Sequence, residues 1–189
     1  KERGGLEQAA LDYAEALALA QIPARTVISP GAWVEAPLVA AQVAHESLTN
    51  RGRWDMLAPL RLQAMASRTQ AQAIICHGNR ALTLALRAFG RRGARPDIIA
   101  VAHNYSTRRF ARADRCFAIT QHLAAHLEAG GARHITPMPN MVRIHPPTPR
   151  PQWRTPPVIG SMGRFVAKKG FATYIEALAL LRTRGVPFR

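Results

Sequence analysis

The chain has 189 residues, 48% of them hydrophobic, which is enough for one packed domain plus part of another and excludes a disordered tail. No apolar run approaches the roughly 18 residues that a membrane-spanning helix needs, and the N-terminus shows no signal-peptide pattern. With 26 basic and 11 acidic residues the formal net charge is +15. Three explanations of this charge are open: the protein binds nucleic acid, it binds an anionic membrane or substrate, or its composition is arginine-rich without a binding role.

Cysteine usage indicates the compartment of the protein, and aromatic content indicates whether the positive charge serves nucleic-acid binding. Cys76 and Cys116 both lie inside apolar runs, which predicts buried free thiols and a reducing, cytoplasmic compartment. Aromatic residues make up only 6% of the chain, and no nucleic-acid-binding module is recognisable. We therefore expect no nucleic-acid partner.

Hydrophobic patterns of two kinds alternate along the first 144 residues. Helical spacing predicts helices over 3–20, 56–66, 80–89 and 121–128, the second with a buried stripe of Met56, Leu57, Leu60 and Met65. Apolar runs predict strands over 26–29, 43–48, 73–79 (ending in a turn), 98–102, 116–120 and 134–139. Strands that are apolar on both faces and alternate with helices predict an α/β fold, a Rossmann-like parallel sheet with helices on both faces.

A change in composition marks a domain boundary. Residues 145–157 contain six prolines, a density that blocks helix and central strand and gives a stiff linker. We predict a first domain over 1–144 and the start of a second over 158–189. The second contains strands at 157–159 and 186–188 around one helix, too little to bury a core by itself.

A glycine-rich loop precedes that helix. Gly160, Gly163 and Gly170 let a ligand approach the backbone, and Arg164 and Lys169 add two positive charges at a helix N-terminus. Only three lysines occur in the whole chain, and two of them are neighbours in this loop. The pattern favours a phosphate site. An ordinary glycine turn beside solvated basic residues would have the same sequence pattern, and no Walker spacing is present.

Two further features are candidates for binding. Gly4-Gly5 before the first helix is either a second anion cradle or a tight turn. Polar groups also follow the predicted strands, at the edge where parallel sheets bind ligands. They are His77-Gly78-Asn79, His103-Asn104-Tyr105, Thr120-Gln121 and Asn140. His103 directly follows five apolar residues and should project into a cleft; the alternative is a histidine that only bonds a loop.

The segment Gly163-Arg164-Phe165-Val166-Ala167-Lys168-Lys169-Gly170-Phe171, followed by Ile175-Glu176-Ala177-Leu178 and Arg184-Gly185-Val186-Pro187-Phe188, carries a resemblance. It resembles the opening of the second domain of family 4 glycosyltransferases. That family has the GT-B architecture, in which two Rossmann-like domains face each other across a cleft. The resemblance implies that 1–144 is the acceptor-side domain, and that 158–189 begins a nucleotide-sugar-binding domain that is truncated here.

The resemblance also implies roles for single residues. Gly4, Gly5, Arg164 and Lys169 would bind the donor diphosphate, and His103 would stabilise the transition state beside the reacting sugar carbon. His77, Asn79, Asn104 and Asn140 would bind the acceptor or the sugar. Two departures weaken the match: Met141 stands where the family has glycine, and the family's acidic motif would lie beyond residue 189. The family's first strand would precede Lys1.

The function expected from this resemblance is sugar transfer, with retention, from a nucleotide sugar to a glycan or lipid acceptor of the cell envelope, such as lipopolysaccharide. The fixed cations at the diphosphate make a metal cofactor unnecessary. Alternatives are another GT-B enzyme such as a nucleotide-sugar epimerase, or a non-catalytic basic module that binds membrane or nucleic acid.

Two groups of arginines have no role in the diphosphate site. A helically spaced stripe of Arg108, Arg109, Arg112 and Arg115, and a cluster of Arg91, Arg92 and Arg95, suggest peripheral contact with the anionic inner face of the cell membrane or with a phosphorylated acceptor. A merely solvated basic face explains them as well.

His122 and His126 lack the glutamate of a zinc motif, so we interpret them as structural and expect no metal.

Overall fold

A computed structural model describes residues 4–52, 54–90, 95–142, 155–163 and 165–189. The chain separates into two compact units, Lys1–Arg143 and Ile144–Arg189. The functional assignment of the two predicted domains stays a prediction. Most of the proline-rich linker, together with Arg91, Arg92 and Arg164, lies outside the described residues.

The first unit contains two parallel sheets and five helices among its described residues. Its helices are α1 Gly5–Leu19, α2 Glu35–Ala40, α3 Leu57–Arg68, α4 Gly78–Phe89 and α5 Gln121–Ala129. Its strands are β1 Thr26–Ile28, β2 His45–Ser47, β3 Ala73–His77, β4 Asp97–Ala102, β5 Arg115–Ala118 and β6 Ile135–Pro137. β1 pairs with β2, and the second sheet has the order β3-β4-β5-β6.

The larger hydrophobic core covers the four-stranded sheet. Ile98, Cys76 and Cys116 are at most 1% exposed at its centre, and Leu82 of α4 and Leu123 of α5 pack against them. Burial raises the pKa of the Cys76 thiol to about 12 and that of Cys116 to about 11, so both thiols are protonated and inert. The prediction of buried free thiols is confirmed.

The predicted core stripe of α3 is wrong. Met56, Leu57 and Leu60 are 73%, 58% and 59% exposed, and of the four predicted residues only Met65 is buried. The face that packs into the core consists of Ala58, Pro59, Leu62, Met65 and Ala66. Both faces of this helix carry apolar residues, so spacing alone could not tell which one packs.

The short helix α2 lies where no element is predicted. Its Pro37 falls in the first turn, where a backbone N–H has no intrahelical acceptor and proline is therefore tolerated. Leu38 is fully buried and anchors α2 in a smaller core with Leu11 of α1 and Val43.

The predicted helical arginine stripe does not form. Phe110 begins a 3₁₀ turn that ends at Arg112, and β5 starts only three residues later at Arg115. Phe110 is 2% exposed and fixes this turn against the sheet, while Arg108, Arg109 and Arg112 are exposed around it. The arginines are therefore distributed around a turn and a strand end.

The second unit contains a 3₁₀ turn, Ala167–Lys169, and helix α6, Phe171–Thr183. The predicted strands at 157–159 and 186–188 are not assigned as strands. However, the N–H of Ile159 donates to the C=O of Arg189, and the N–H of Arg189 donates to the C=O of Pro157, which is the pattern of one parallel bridge. No described residue of this unit is buried. Nowhere in the described ranges is a helix long and apolar enough to cross a membrane.

Candidate functional site

Two histidines meet at the carboxyl edge of the four-stranded sheet. His77 is the last residue of β3, and His103 directly follows β4, its neighbour in the sheet. His77 Nδ1 lies 3.2 Å from His103 Nε2, and the two rings are nearly parallel with centroids 5.5 Å apart. One ring must donate and the other accept, so this hydrogen bond fixes the orientation of both imidazoles.

Helix α1 packs over this histidine pair. The Tyr13 ring stands edge-on to His77, with centroids 4.8 Å apart and an interplanar angle of 84°. Leu6 packs against Gly78, where a Cβ atom would come within 2.7 Å of Leu6 Cδ1. Gly78 has φ +78°, a backbone conformation that favours glycine, and a larger residue would also have to displace the end of the Leu6 side chain.

The environment keeps both histidines neutral at pH 7. Burial, and to a smaller degree the neighbouring His103 ring, lower the pKa of His77 to about 4. Burial also lowers the pKa of His103, although the nearby Glu7 carboxylate opposes that shift. A neutral pair suits hydrogen bonding to sugar hydroxyls.

A stability measurement tests this burial of His77. Between pH 6.5 and its folded pKa of about 4, the unfolded chain takes up a proton that the folded chain does not. We expect the free energy of unfolding to fall by about 2 kcal/mol from pH 7 to pH 5 through His77 alone. In urea unfolding, His77→Gln should remove that part of the pH dependence, whereas His134→Gln, a control at an exposed position, should keep it. An unchanged pH profile for His77→Gln would contradict the assignment.

The predicted cradle at Gly4-Gly5 lies at the N-terminus of α1. Gly4 is the extended residue before the helix, and Gly5 is its exposed first residue. A Cβ atom at Gly4 would meet Glu7 Oε2 at 2.5 Å, so the Glu7 carboxylate itself lies over this helix end. An incoming anion would have to displace Glu7. Leu6, the second residue of α1, packs against Gly78 directly after His77, so this helix end lies beside the histidine pair.

The three predicted asparagines lie in different surroundings. Asn79 Nδ2 donates to the C=O of Ser106, and Asn104 Oδ1 accepts from the Ser106 N–H at 2.9 Å. Both side chains therefore shape the loop after β4, and within the described residues Asn79 Oδ1 and Asn104 Nδ2 make no hydrogen bond. Asn140 is exposed beyond β6, and it makes no side-chain hydrogen bond within the described residues. All three assignments stay predictions.

Tyr105 connects the loop after β4 to α5, a role that its sequence context does not indicate. Its hydroxyl lies 2.7 Å from His122 Nδ1, and its ring contacts both His122 and His126 edge-on. His126 Nε2 also bonds the Tyr105 backbone oxygen at 3.1 Å. The i, i+4 spacing of the two histidines showed that they share a helix face, but not that this face meets the loop after β4. Among the described residues, no three metal-ligand side chains come together.

In the second unit, the glycine loop and Lys169 lie side by side. A Cβ atom at Gly163 would be 3.7 Å from Lys169 Cγ and 3.6 Å from the Phe171 ring, at the start of α6. Gly170 has φ +68° and turns the chain from the 3₁₀ segment into that helix. Lys169 is exposed, and it makes no ion pair within the described residues. Arg164, its predicted partner, lies outside them.

A separate pocket of about 350 Å³ lies at the opposite edge of the four-stranded sheet. Asp97, Asp114, Arg115, Arg133 and His134 are among its lining residues. Ligands of parallel α/β sheets gather at the carboxyl edge, so we assign the candidate site to the histidine edge.

Comparison with known proteins establishes the class of fold. Two crystal structures of Anabaena Alr3699/HepE match the chain, one in complex with UDP and glucose and one in complex with UDP-glucose. The TM-scores are 0.56 and 0.58 at 19% and 18% identity. These matches confirm the predicted α/β class, with Rossmann-like parallel sheets flanked by helices as in GT-B proteins.

The matches cover 74% of this chain and 41% of Alr3699/HepE, so the chain spans about two fifths of that protein's length. No family profile matches the chain, and no curated protein sequence matches it.

Proposed function

We propose that the protein is a nucleotide-sugar-dependent glycosyltransferase of GT-B architecture. The observation that carries the proposal is the fold likeness to a protein crystallised with UDP-glucose. A UDP-sugar is accordingly the first donor to test. The finer features, membership of family 4 and transfer with retention, rest on the sequence resemblance at 163–171.

The proposed roles follow the charges in the reaction. Cleaving a sugar–phosphate bond develops positive charge on the ring and negative charge on the departing diphosphate. Lys169, with Arg164, would neutralise the diphosphate, and these cations leave no need for a divalent metal. The first unit would supply His103 to the sugar.

In addition to the predicted contact with the acceptor or the sugar, we propose a positioning role for His77. It is half-buried, and its Nδ1 is bonded to His103, so it holds the His103 ring in place. Asn79, Asn104 and Asn140 would contact the acceptor or the sugar from the loops at the same edge. We place the enzyme in the cytoplasm, at the inner face of the cell membrane, with a glycan or lipid acceptor.

The two adjacent lysines provide the test. In the whole gene product, Lys169→Ala should lower kcat/KM for UDP-glucose turnover by at least about tenfold, because a fixed cation at the leaving group is lost. Lys168→Ala is the matched control, since it removes the same charge one residue away. Turnover is measured as UDP release with and without acceptor.

Other results would contradict the proposal. Equal activity in the two lysine variants would remove the diphosphate role of Lys169. Absence of nucleotide-sugar turnover, together with nucleic-acid retention that falls steeply with salt, would favour a basic binding module instead. Interconversion of two nucleotide sugars without acceptor would indicate an epimerase.

A further inference from the structure

The outer face of α3 and the loop before it expose four large apolar side chains. Trp54 is 82% exposed, Met56 73%, Leu57 58% and Leu60 59%. Leu57 and Leu60 lie one turn apart on the face opposite the core-packing Leu62 and Met65. We call these four residues the Trp54 surface. Single exposed apolar residues are ordinary, but four within seven consecutive residues, two in the loop and two in the first turn of α3, indicate a binding surface.

Hydrogen bonds hold the loop before α3 in one conformation. Asp55 Oδ1 accepts the N–H groups of Leu57 and Ala58, each at 3.0 Å, and Oδ2 accepts the N–H of Arg51 at 2.8 Å. From α4, Arg87 donates to the backbone oxygen of Asp55 at 2.7 Å and to that of Gly52 at 3.3 Å. These bonds fix the loop in a conformation that leaves Trp54 and Met56 on the surface.

The charges around this surface are positive. Between 48 and 72 the only acidic residue is Asp55, whose two carboxylate oxygens are used by the loop. Arg51 and Arg61 are exposed, and Arg61 lies one turn along α3 from Leu57. Tryptophan and leucine with flanking arginines suit the boundary between acyl chains and anionic headgroups.

We propose that the Trp54 surface docks the protein on an anionic lipid bilayer. The apolar side chains enter the headgroup region, and Arg51 and Arg61 contact lipid phosphates. This gives the proposed peripheral membrane contact a location other than the predicted arginine stripe at 108–115. The inference does not depend on the transferase activity, because lipid binding is measured without any nucleotide sugar.

Vesicle cosedimentation tests the proposal. The protein should bind phosphatidylcholine vesicles that contain phosphatidylglycerol, and bind pure phosphatidylcholine vesicles much less. The double variant Trp54→Ser with Leu57→Ser should lower the partition constant by at least about tenfold. Leu19→Ser with Ile22→Ser, at the exposed end of α1, is the matched control and should bind like the parent. Far-UV circular dichroism checks that both double variants are folded.

A second measurement locates the contact. Brominated lipids should quench tryptophan fluorescence in the parent, and Trp54→Phe should keep vesicle binding but lose most of the quenching. Arg51→Ala with Arg61→Ala should lose the preference for anionic vesicles. Equal vesicle binding by parent and Trp54→Ser with Leu57→Ser would overturn the proposal, as would no binding by the parent. Dimerisation in light scattering that the same variant abolishes, without lipid binding, would assign the surface to a second copy.

Discussion

Asp114→Ala is expected to lower the free energy of unfolding by about 3 kcal/mol, since it leaves a mostly buried guanidinium unpaired. The Arg95 side chain is only 12% exposed and donates two hydrogen bonds to Asp114, at 2.7 and 2.8 Å. Asp114 Oδ2 also accepts the N–H of Ile98 at 2.7 Å, which ties the start of β4 to the start of β5. Consistently, Arg95 holds the pKa of Asp114 below its usual range. Equilibrium urea unfolding at pH 7 measures the loss.

Glu46→Ala provides the matched control. Glu46 accepts two hydrogen bonds from Arg68 at 2.9 and 2.7 Å, but that arginine side chain is 60% exposed. Removing an exposed pair should cost less than about 1 kcal/mol. Equal losses in Asp114→Ala and Glu46→Ala would mean that burial of Arg95 contributes nothing. Because Arg95 is paired, it is not free to bind an anion. It therefore does not act as a member of the basic cluster predicted at 91–95.

Phe110→Ala is expected to lower the free energy of unfolding by about 4 kcal/mol, because it opens a cavity under the sheet. Phe110 is 2% exposed and is among the largest fully buried side chains of the described residues. Its backbone oxygen lies 3.6 Å from the buried Cys116 thiol, so the turn rests directly on β5. The same urea unfolding experiment measures the change.

Phe165→Ala is the corresponding surface control. Phe165 is 95% exposed and contacts Phe171 through ring stacking at 4.9 Å. Its loss should change the free energy of unfolding by less than about 0.5 kcal/mol. A small effect of Phe110→Ala would contradict the account of the arginine-rich turn, in which Phe110 alone points inward and Arg108, Arg109 and Arg112 remain outside.

Much of the fold was predictable because its signals are local. The runs before His77 and His103 are apolar and short, and they form β3 and β4 within a residue or two of the predicted bounds. Since parallel neighbours end at the same edge, the sequence also predicted that polar groups would gather there. It could not predict the contact between His77 and His103, which needs the order β3-β4 in the sheet.

The errors have a common cause. The spacing of Met56, Leu57 and Leu60 fits a buried stripe as well as Leu62 and Met65 do, and the choice between them depends on which side meets α4 and the sheet. The arginines from 108 to 115 have helical spacing, but β5 must begin at Arg115 to pair with β4, so no room for a helix remains.

The sequence by itself determined the α/β class, the buried thiols of Cys76 and Cys116, and the polar residues at the strand ends. Each of these depends on hydrophobic spacing within a few residues of the chain. Only the tertiary structure decided that α1 closes over His77 and His103, that Tyr105 lies between two histidines, and that α3 turns leucines outward. The reason is physical: these features depend on contacts between elements far apart in the chain, and local spacing carries no information about them.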